Sequence, residues 1–477
     1  MTTNAERERF DAQVAKALGD RRLQDWLEDF QRLGQEAYVE AMGELDDKEA
    51  WRDALSELRA HTVANLDRYV DEFTTNVEAN GGHVFFAGDA AEARDYVLDI
   101  ARAIPAKRVV KSKSMVTEEI ELNGALEAAG MEVVETDLGA FIVQLTGEDP
   151  YHIIAPALHL TLEQVRDLFS QDAEEELPAE PDVLAAYARR RLREKFLTAE
   201  LGISGGNFGI ASTGTVVLVT NEGNGRMSTT LPGTHVAVMG MERLLPDWES
   251  LDTALTLLTR AGTSQRISTY VSAISGPRRD GDRDGPDELH VVLLDNGRSR
   301  ILGTKYEPVL KCIRCGACLD HCPVYGCIGG HAYSRVYSGP IGAVITPLLD
   351  GLDQHAELPY ASSLCGACVD ACPARVPLTE LLLALRADAV QSGLEPQSWR
   401  AGMRGYAEVT AHPAVWDAAL RVAGALARPL APGGVLRSAP GLLGKWTASR
   451  DLKTPVRRSF RRRWRESGAR MDDGRGS

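Results

Sequence analysis

Cysteine is scarce in this chain, at 8 of 477 residues, and it is absent outside the window from Cys312 to Cys372. Thiols confined to one stretch cannot staple the rest of the molecule, which excludes a secreted disulfide framework and points to a reducing compartment. Aromatic residues make up only 6%, and no apolar run approaches the roughly 20 residues that a bilayer-spanning helix needs. The start, Met1-Thr2-Thr3-Asn4-Ala5-Glu6-Arg7, has no basic stretch followed by an apolar one, so no secretion signal is expected. Basic charge is the minority sign. With 53 Lys and Arg against 68 Asp and Glu the net charge is −15, and nucleic acid is excluded as a partner of the whole molecule. No G-x-G-x-x-G fingerprint opens a βαβ unit, so the chain is expected to hold no dinucleotide of its own. These absences together predict a cytoplasmic protein, with a membrane-peripheral placement as the alternative.

What is present suits a soluble globular protein of two or three domains, with 44% hydrophobic and 25% charged residues. Residues 1–80 read as helices, because Leu23, Trp26, Leu27, Phe30 and Leu33 keep a 3.6-residue period, as do Trp51, Leu55, Leu58, Leu66, Tyr69 and Phe73. Gly81-Gly82 breaks the pattern and an α/β region follows over 81–300. Its expected strands are Val84–Ala87, Val109-Val110, Met131–Val134, Phe141–Leu145, Thr215–Thr220, Thr234–Met239, Ile267–Ile274 and Leu289–Leu294, with a helix over Glu163–Lys195. Asp89-x-x-Glu92 has the form of a capping box. Strands interleaved with helices predict one domain with a largely parallel sheet. A cysteine region over 301–390 and a C-terminal extension over 391–477 complete the expected division.

The cysteines fall into two runs, each ending in Cys-Pro. The first is Cys312-x2-Cys315-x2-Cys318-x3-Cys322-Pro323 and the second is Cys365-x2-Cys368-x3-Cys372-Pro373. This is the spacing by which thiolates hold cubane iron–sulfur clusters, the last cysteine of each run reaching across to the other cluster. Zinc sites use C-x2-C pairs too, but they have no need of the x3-Cys-Pro ending. Crossed ligation assigns Cys312, Cys315, Cys318 and Cys372 to the first cluster, and Cys322, Cys365 and Cys368 to the second. The second set is one ligand short, because the position three residues before Cys365 is Ser362. Four outcomes stay open: a three-iron cluster, a four-iron cluster with one open iron, ligation by Ser362, or recruitment of Cys327. The cofactors expected are therefore two clusters, one 4Fe-4S and a second that is 4Fe-4S or 3Fe-4S. The 42 residues between Cys322 and Cys365 are too many for a compact ferredoxin and suggest a more helical two-cluster domain. Lys311 and Arg314 flank the first run and offset thiolate charge. His321 and His331 border it, whereas His152 and His159 read as packed or surface residues.

At this point the residues resemble a known family. CIRCGACLDHCPVYGCIGGHAYSRVYSGPIGAV (312–344) and LPYASSLCGACVDACPARVPL (358–378) closely resemble the bacterial lactate utilization protein B family. So do VKSKSMVTEEIELNGALEAAGMEVVETDLGAFIVQL (110–145), ASTGTVVLVTNEGNGRMSTTLPGTHVAVMG (211–240) and LLGKWTASRDLKTPVRRSFRRRWRE (442–466). The resemblance implies the iron–sulfur component of a three-part system that oxidises L-lactate to pyruvate, partnered by that system's other components. It implies an α/β domain similar to the sugar-phosphate isomerase and CoA-transferase fold, an α-helical two-cluster ferredoxin-like domain and a helical C-terminal extension. It carries cluster ligation onto the seven cysteines named above, and Cys327 falls outside that set. The second run is also similar to that of the succinate dehydrogenase iron–sulfur subunit, in which three cysteines hold a three-iron cluster.

Two further features invite a role. Thr213, Gly214 and Thr215 precede a strand, and Glu222, Asn224 and Arg226 follow it; glycines, hydroxyls and an arginine at a strand end suit a phosphate or carboxylate. Lys111-Ser112-Lys113-Ser114 at another strand end can converge on the same anion. A rival function follows, in which the α/β domain is itself an enzyme that uses Glu222 as nucleophile or base. The clusters would be structural or sensory in a third. The run Arg457-Arg458-Ser459-Phe460-Arg461-Arg462-Arg463-Trp464-Arg465 is basic in an acidic chain and suits an acidic partner, an anionic membrane surface or the chain's own acidic N-terminal helices.

Overall fold

Four helices come first: α1 (Asn4–Gly19), α2 (Arg21–Gly43), α3 (Lys48–Ala64) and α4 (Leu66–Ala79). The computed structural model describes residues 4–438, 444, 447, 450–454, 460, 463 and 464. Asp20 and Asp47 cap α2 and α3 by accepting from the N–H groups of Leu23 and Ala50, each at 3.0 Å. These are donors that no helix can satisfy for itself. Of the stripes predicted from the periodicity, Leu27, Leu55, Leu66, Tyr69 and Phe73 are buried, whereas Trp26 and Leu33 are exposed.

The alternating region runs β1 (His83–Ala87), α5 (Ala90–Ala103), β2 (Arg108–Lys111), α6 (Met115–Glu119), α7 (Leu122–Ala128), β3 (Glu132–Glu135), α8 (Leu138–Thr146), α9 (Leu162–Ala173) and α10 (Pro181–Thr198). Asp89 caps α5 through Ala91 and Glu92, and Glu92 reaches back to the Gly88 N–H at 2.8 Å, one residue before the expected partner. Two sequence expectations fail here. Phe141–Leu145, read as a strand, lies in α8. A short apolar run suits a buried helix as well as a strand, and Asp137 decides for helix by capping Ala140 at 2.9 Å. The helix expected over Glu163–Lys195 is two helices, because the left-handed Glu174 (φ +55°) ends α9 and Pro181 opens α10.

The chain continues through β4 (Leu201–Gly205), β5 (Phe208–Ile210), β6 (Thr215–Thr220), α11 (Asn224–Thr230), β7 (Thr234–Gly240), β8 (Leu244–Leu245), α12 (Trp248–Thr263), β9 (Tyr270–Ile274) and β10 (Glu288–Leu294). Six strands form a parallel sheet in the order β1-β10-β7-β4-β2-β3. Every residue of β7 is buried, as expected for a strand covered on both faces. A second, four-stranded sheet has the order β8-β5-β6-β9. It takes Thr215–Thr220 and Tyr270–Ile274 out of the single sheet that was expected, since β-branched content marks a strand without naming its neighbours. The central β4, with its sequence Leu-Gly-Ile-Ser-Gly, gave no strand signal.

The cysteine region adds α13 (Ala317–Asp320), α14 (Pro323–Ile328), α15 (Gly339–Asp350), α16 (Ala367–Asp370) and α17 (Leu378–Gln391). Its core is not its own. Leu55 of α3, Leu257 of α12, Val217 of β6, Leu319, Val344 and Leu381 belong to one continuous apolar cluster, so Met1–Leu394 form one compact unit. Glu395–Ser477 form a second unit, with α18 (Gln397–Ala411), α19 (Pro413–Ala427) and a short antiparallel pair, β11 (Val435–Leu436) and β12 (Leu452–Lys453). Of the basic run, only Phe460, Arg463 and Trp464 are described, and the rest of that expectation lies outside the described residues. Phe460 and Trp464 place their ring centres 5.6 Å apart. Among the described residues no helix is long and apolar enough to cross a membrane.

Candidate metal centre

The two cysteine runs fold alike. In the first, Arg314 and Gly316 take left-handed backbone angles (φ +59° and +87°) and lead into α13. In the second, Leu364 and Gly366 do the same (φ +57° and +91°) and lead into α16. That is why Cys-Gly-Ala-Cys recurs: a side chain at the glycine would strain the turn that swings both sulfurs to one side.

Cys312, Cys315, Cys318 and Cys372 line one small pocket walled by Ile341, Val376 and Leu378. Burial pushes the Cys315 and Cys318 thiols well up, and the other sulfurs of the group push them further. Cys372 is pushed up to about 11 by burial, against the lowering effect of a hydrogen bond from the Val376 N–H, with Cys312 adding to the rise. The remaining cysteines gather separately. Cys368 is pushed up to about 12 by burial and then by Cys322 and Cys365. Cys322 is raised chiefly by burial, with Cys365 and Cys327 contributing. Sulfurs packed this closely in apolar surroundings cannot ionise together unless a cation neutralises them. Soft donors in two such sets fit iron–sulfur chemistry.

Ser362 and Cys327, the two candidates for the missing ligand, sit differently. The Ser362 hydroxyl accepts from the Leu364 N–H at 3.1 Å. In the first run the Cys312 sulfur accepts from the Arg314 N–H at 3.4 Å. Ser362 therefore occupies in the second run the place that Cys312 occupies in the first. Cys327 is exposed on α14.

The N-terminal helices hold both runs by their backbone carbonyls. Gln31 donates to the carbonyls of Leu319 and Cys322 at 2.9 and 3.0 Å, and Gln35 to Asp320 at 2.9 Å. Tyr38 donates to Ala371 at 3.0 Å, and Arg52 to Asp370 and Cys372 at 2.8 and 3.1 Å. The fully buried Arg59 donates to Leu244, Leu310 and Glu242. Sequence reasoning missed this brace, although a signal exists. Gln31 follows Leu27 by four residues, and Arg52 and Arg59 flank Leu55, so polar groups stand on the apolar stripe where only a buried partner can satisfy them.

The expected anion set is divided. Thr213 and Gly214 precede β6 and Thr215 opens it, while Glu222 and Asn224 follow it, about 20 Å away along an extended chain. Thr215 bonds to Thr213 and Ser275 at 2.8 and 2.9 Å. A Cβ on Gly214 would meet the Val77 backbone at 2.3 Å, so that glycine serves the packing of α4. Arg226 pairs with Asp284 at 3.3 Å on the surface. Glu222 and Asn224 instead line a cavity of about 430 Å³ together with Ser112, Lys113 and Ser114. Lys111 lies buried beneath them, paired with Glu118 and Glu135. The same cavity is lined by Arg314 and Cys315.

The histidines have ordinary partners. His152 bonds to Asp320 at 3.1 Å, and His321 to the Ala317 carbonyl at 2.9 Å. His159 meets Glu148 at 2.8 Å and His331 the Asp149 carbonyl at 2.8 Å, with Glu148, His159 and His331 bringing ligand atoms within 4.8 Å of one another.

Comparison with known proteins gives three family matches in chain order: a LUD domain over 70–294, a 4Fe-4S dicluster domain over 308–376 and the C-terminal region of lactate utilisation protein B over 389–469. The lactate utilization protein B of Oceanobacillus iheyensis is 48% identical over 436 residues, covering 91% of this chain and 91% of its own length. That of Shouchella clausii is 46% identical over 453 residues, covering 95% of each. This chain belongs to the lactate utilization protein B family. The solved structure of a DUF162 family protein from Deinococcus radiodurans covers 48% of this chain and 98% of its own at 14% identity, with a TM-score of 0.26, too weak a likeness to bear on the fold.

As a lactate utilization protein B family member the chain binds iron–sulfur clusters and has a role in lactate utilisation. Its dicluster and LUD regions are wired together by a buried ionic chain. Arg298, after β10, meets Glu119 of α6 at 2.8 Å and Glu242, after β7, at 2.6 Å. Glu242 continues to Arg314 in the first cysteine run at 3.5 Å, and Tyr337 donates to Glu119 at 2.6 Å. The three cations nearest to it, Arg298, Arg314 and Arg243, overcome burial and hold the Glu242 carboxyl down at about 2.

Proposed function

We propose that this chain is an electron-transfer subunit of a multi-component system that oxidises L-lactate to pyruvate. The observation that carries the reading is the gathering of seven cysteines from two distant runs into two neighbouring sets, with Cys372 crossing to the first. Bound there, iron–sulfur clusters take up and release one electron at a time. Cys312, Cys315, Cys318 and Cys372 are the ligands of one, and Cys322, Cys365 and Cys368 of the other. No G-x-G-x-x-G fingerprint opens a βαβ unit in the sequence, and this reading gives the oxidation of the acid to a partner component. The names of the relatives, lactate utilization protein B, support a system of more than one part. The test uses the full chain, prepared without oxygen. Alone it bleaches reversibly with dithionite and oxidises no lactate. With its partner components it bleaches on addition of L-lactate. Turnover of lactate by the isolated chain overturns the subunit reading.

Ser362 supplies the fourth position of the second set, because its hydroxyl holds the place of Cys312. An oxygen there binds iron more weakly than a thiolate, so that corner is the one most readily lost. After brief exposure to air, Ser362→Ala should increase the electron paramagnetic resonance signal of a three-iron cluster, and Ser362→Cys should suppress it. Identical spectra in all three proteins, with a change in Cys327→Ala instead, would transfer the role to Cys327.

A further inference from the structure

Three side chains from three segments meet around Tyr151. Glu148 follows α8, which ends at the left-handed Gly147 (φ +67°). His159 lies just before Thr161, the cap of α9. His331 comes after α14, behind Gly329 and Gly330. A Cβ on Gly329 would collide with the Tyr151 hydroxyl, and one on Gly330 with the Tyr151 carbonyl. The two glycines therefore let the turn close onto Tyr151 and carry His331 in with it. The Tyr151 ring stacks on His159 at 4.8 Å and meets the His331 ring edge-on at 4.9 Å, while the two imidazoles lie 4.8 Å apart. Each ring is thus oriented by the other two.

One carboxylate oxygen of Glu148 and one ring nitrogen of each histidine lie within 4.8 Å of one another. Ligands of a zinc-sized ion stand about 2.1 Å from it, so each atom need move by less than about 1 Å to share one. The hydrogen bonds already present are compatible with this. Nε2 of His159 meets Glu148 at 2.8 Å; that bond joins two of the three donors through a proton that an ion would replace. Nε2 of His331 donates to the Asp149 carbonyl at 2.8 Å, which leaves Nδ1 of the neutral ring with its lone pair. A histidine anchored through one nitrogen to a backbone carbonyl, with the other nitrogen free, is the usual arrangement of a metal ligand. The Glu148 side chain keeps 43% of its surface open to water, against 11% for His159, so an ion enters from the carboxylate side. Two imidazole nitrogens and one carboxylate oxygen suit zinc and its neighbours among the transition metals, whereas magnesium and calcium prefer oxygen alone.

We propose that Glu148, His159 and His331 bind one divalent transition-metal ion of the zinc class, distinct from the iron of the cysteine sets. The ion clips the loop between α8 and α9 to the turn after α14, and water completes its coordination. The site uses none of the seven cysteines, so it stands or falls apart from the electron-transfer reading.

The experiment uses the full chain with both clusters, prepared anaerobically, and adds one equivalent of zinc before gel filtration. Metal analysis should find one zinc per chain with the iron content unchanged, and a large excess of magnesium should leave the zinc in place. Zinc-edge X-ray absorption should show nitrogen and oxygen at about 2.0–2.1 Å and no sulfur at about 2.3 Å. Glu148→Gln and His331→Ala should each weaken zinc about tenfold or more. Because Glu148 is exposed, its variant keeps the test standing if the histidine variant fails to fold. Zinc should raise the thermal midpoint of the unaltered protein and leave that of Glu148→Gln where it was. Failure to retain zinc, a sulfur shell around it, its displacement by magnesium, or equal affinity in Glu148→Gln overturns the inference.

Discussion

Cys372→Ala is expected to remove the same cluster as Cys312→Ala, although Cys372 lies 60 residues further along the chain and next to the second run. Cys312, Cys315, Cys318 and Cys372 line one pocket, while the Cys368 thiol is raised first by burial and then by Cys322 and Cys365. Each of these two variants should lose about half of its iron and keep the paramagnetic signal of the second cluster. Cys322→Ala and Cys368→Ala should form the complementary pair and lose the other signal. If Cys372→Ala instead matched Cys368→Ala, ligation would be uncrossed and the assignment of both sets would be wrong. Iron analysis with resonance spectra of the four variants decides it.

Arg298→Met should cost about 3–5 kcal/mol of stability, because it strands two buried carboxylates. Glu119 and Glu242 meet Arg298 at 2.8 and 2.6 Å, and all three side chains are shut off from water. Glu242 would keep Arg314 at 3.5 Å, a weaker contact, and the more distant charge of Arg243. Neutralising a carboxylate at the same time should restore part of the loss, so Arg298→Met with Glu119→Gln should be more stable than Arg298→Met alone. Denaturant unfolding of the cluster-loaded proteins measures both. A loss below 1 kcal/mol in the single variant would mean that water reaches this chain of charges. Since Arg314 belongs to the first cysteine run, the single variant should also release iron faster from the first set than from the second.

Both results depend on contacts between segments far apart in the chain. The unit Met1–Leu394 has no separate ferredoxin core. Its cysteine loops are short and poor in regular structure, with four-residue helices α13 and α16. Carbonyls of these loops are also taken by Gln31, Gln35, Tyr38 and Arg52 from the first helices, and Arg59 takes that of Leu310 just before the first run. A buried carbonyl without a donor is costly, so the brace is a condition for the loops holding their shape.

Some of this was open to reading from the residues alone. Helix periodicity around Leu27 and Leu55, β-branched runs such as Thr215–Thr220, and the two Cys-Pro runs are local signals, because the forces behind them act over a few residues. Phe141–Leu145 was misread for the same reason: its apolar run is local, but burial on every side suits helix and strand alike. The anion set joined Thr213–Thr215 to Glu222 by nearness in sequence, and an extended strand then carried the two ends apart. Lys113 and Asn224 are 111 residues apart in the chain and line one cavity.

The order of residues by itself determined the family, the two runs of sulfur donors and most helices and strands. These depend on spacing and on periodicity, which are properties of neighbours along the chain. The spacing of the runs already implied that Cys372 joins Cys312 and that Ser362 stands where a cysteine stands in the other run, whereas only the tertiary structure showed that the first helices grip both loops. The tertiary structure alone brought the strand ends to face Cys315. Such meetings are driven by burying apolar surface and by satisfying buried charge, and those terms depend on what lies near in space.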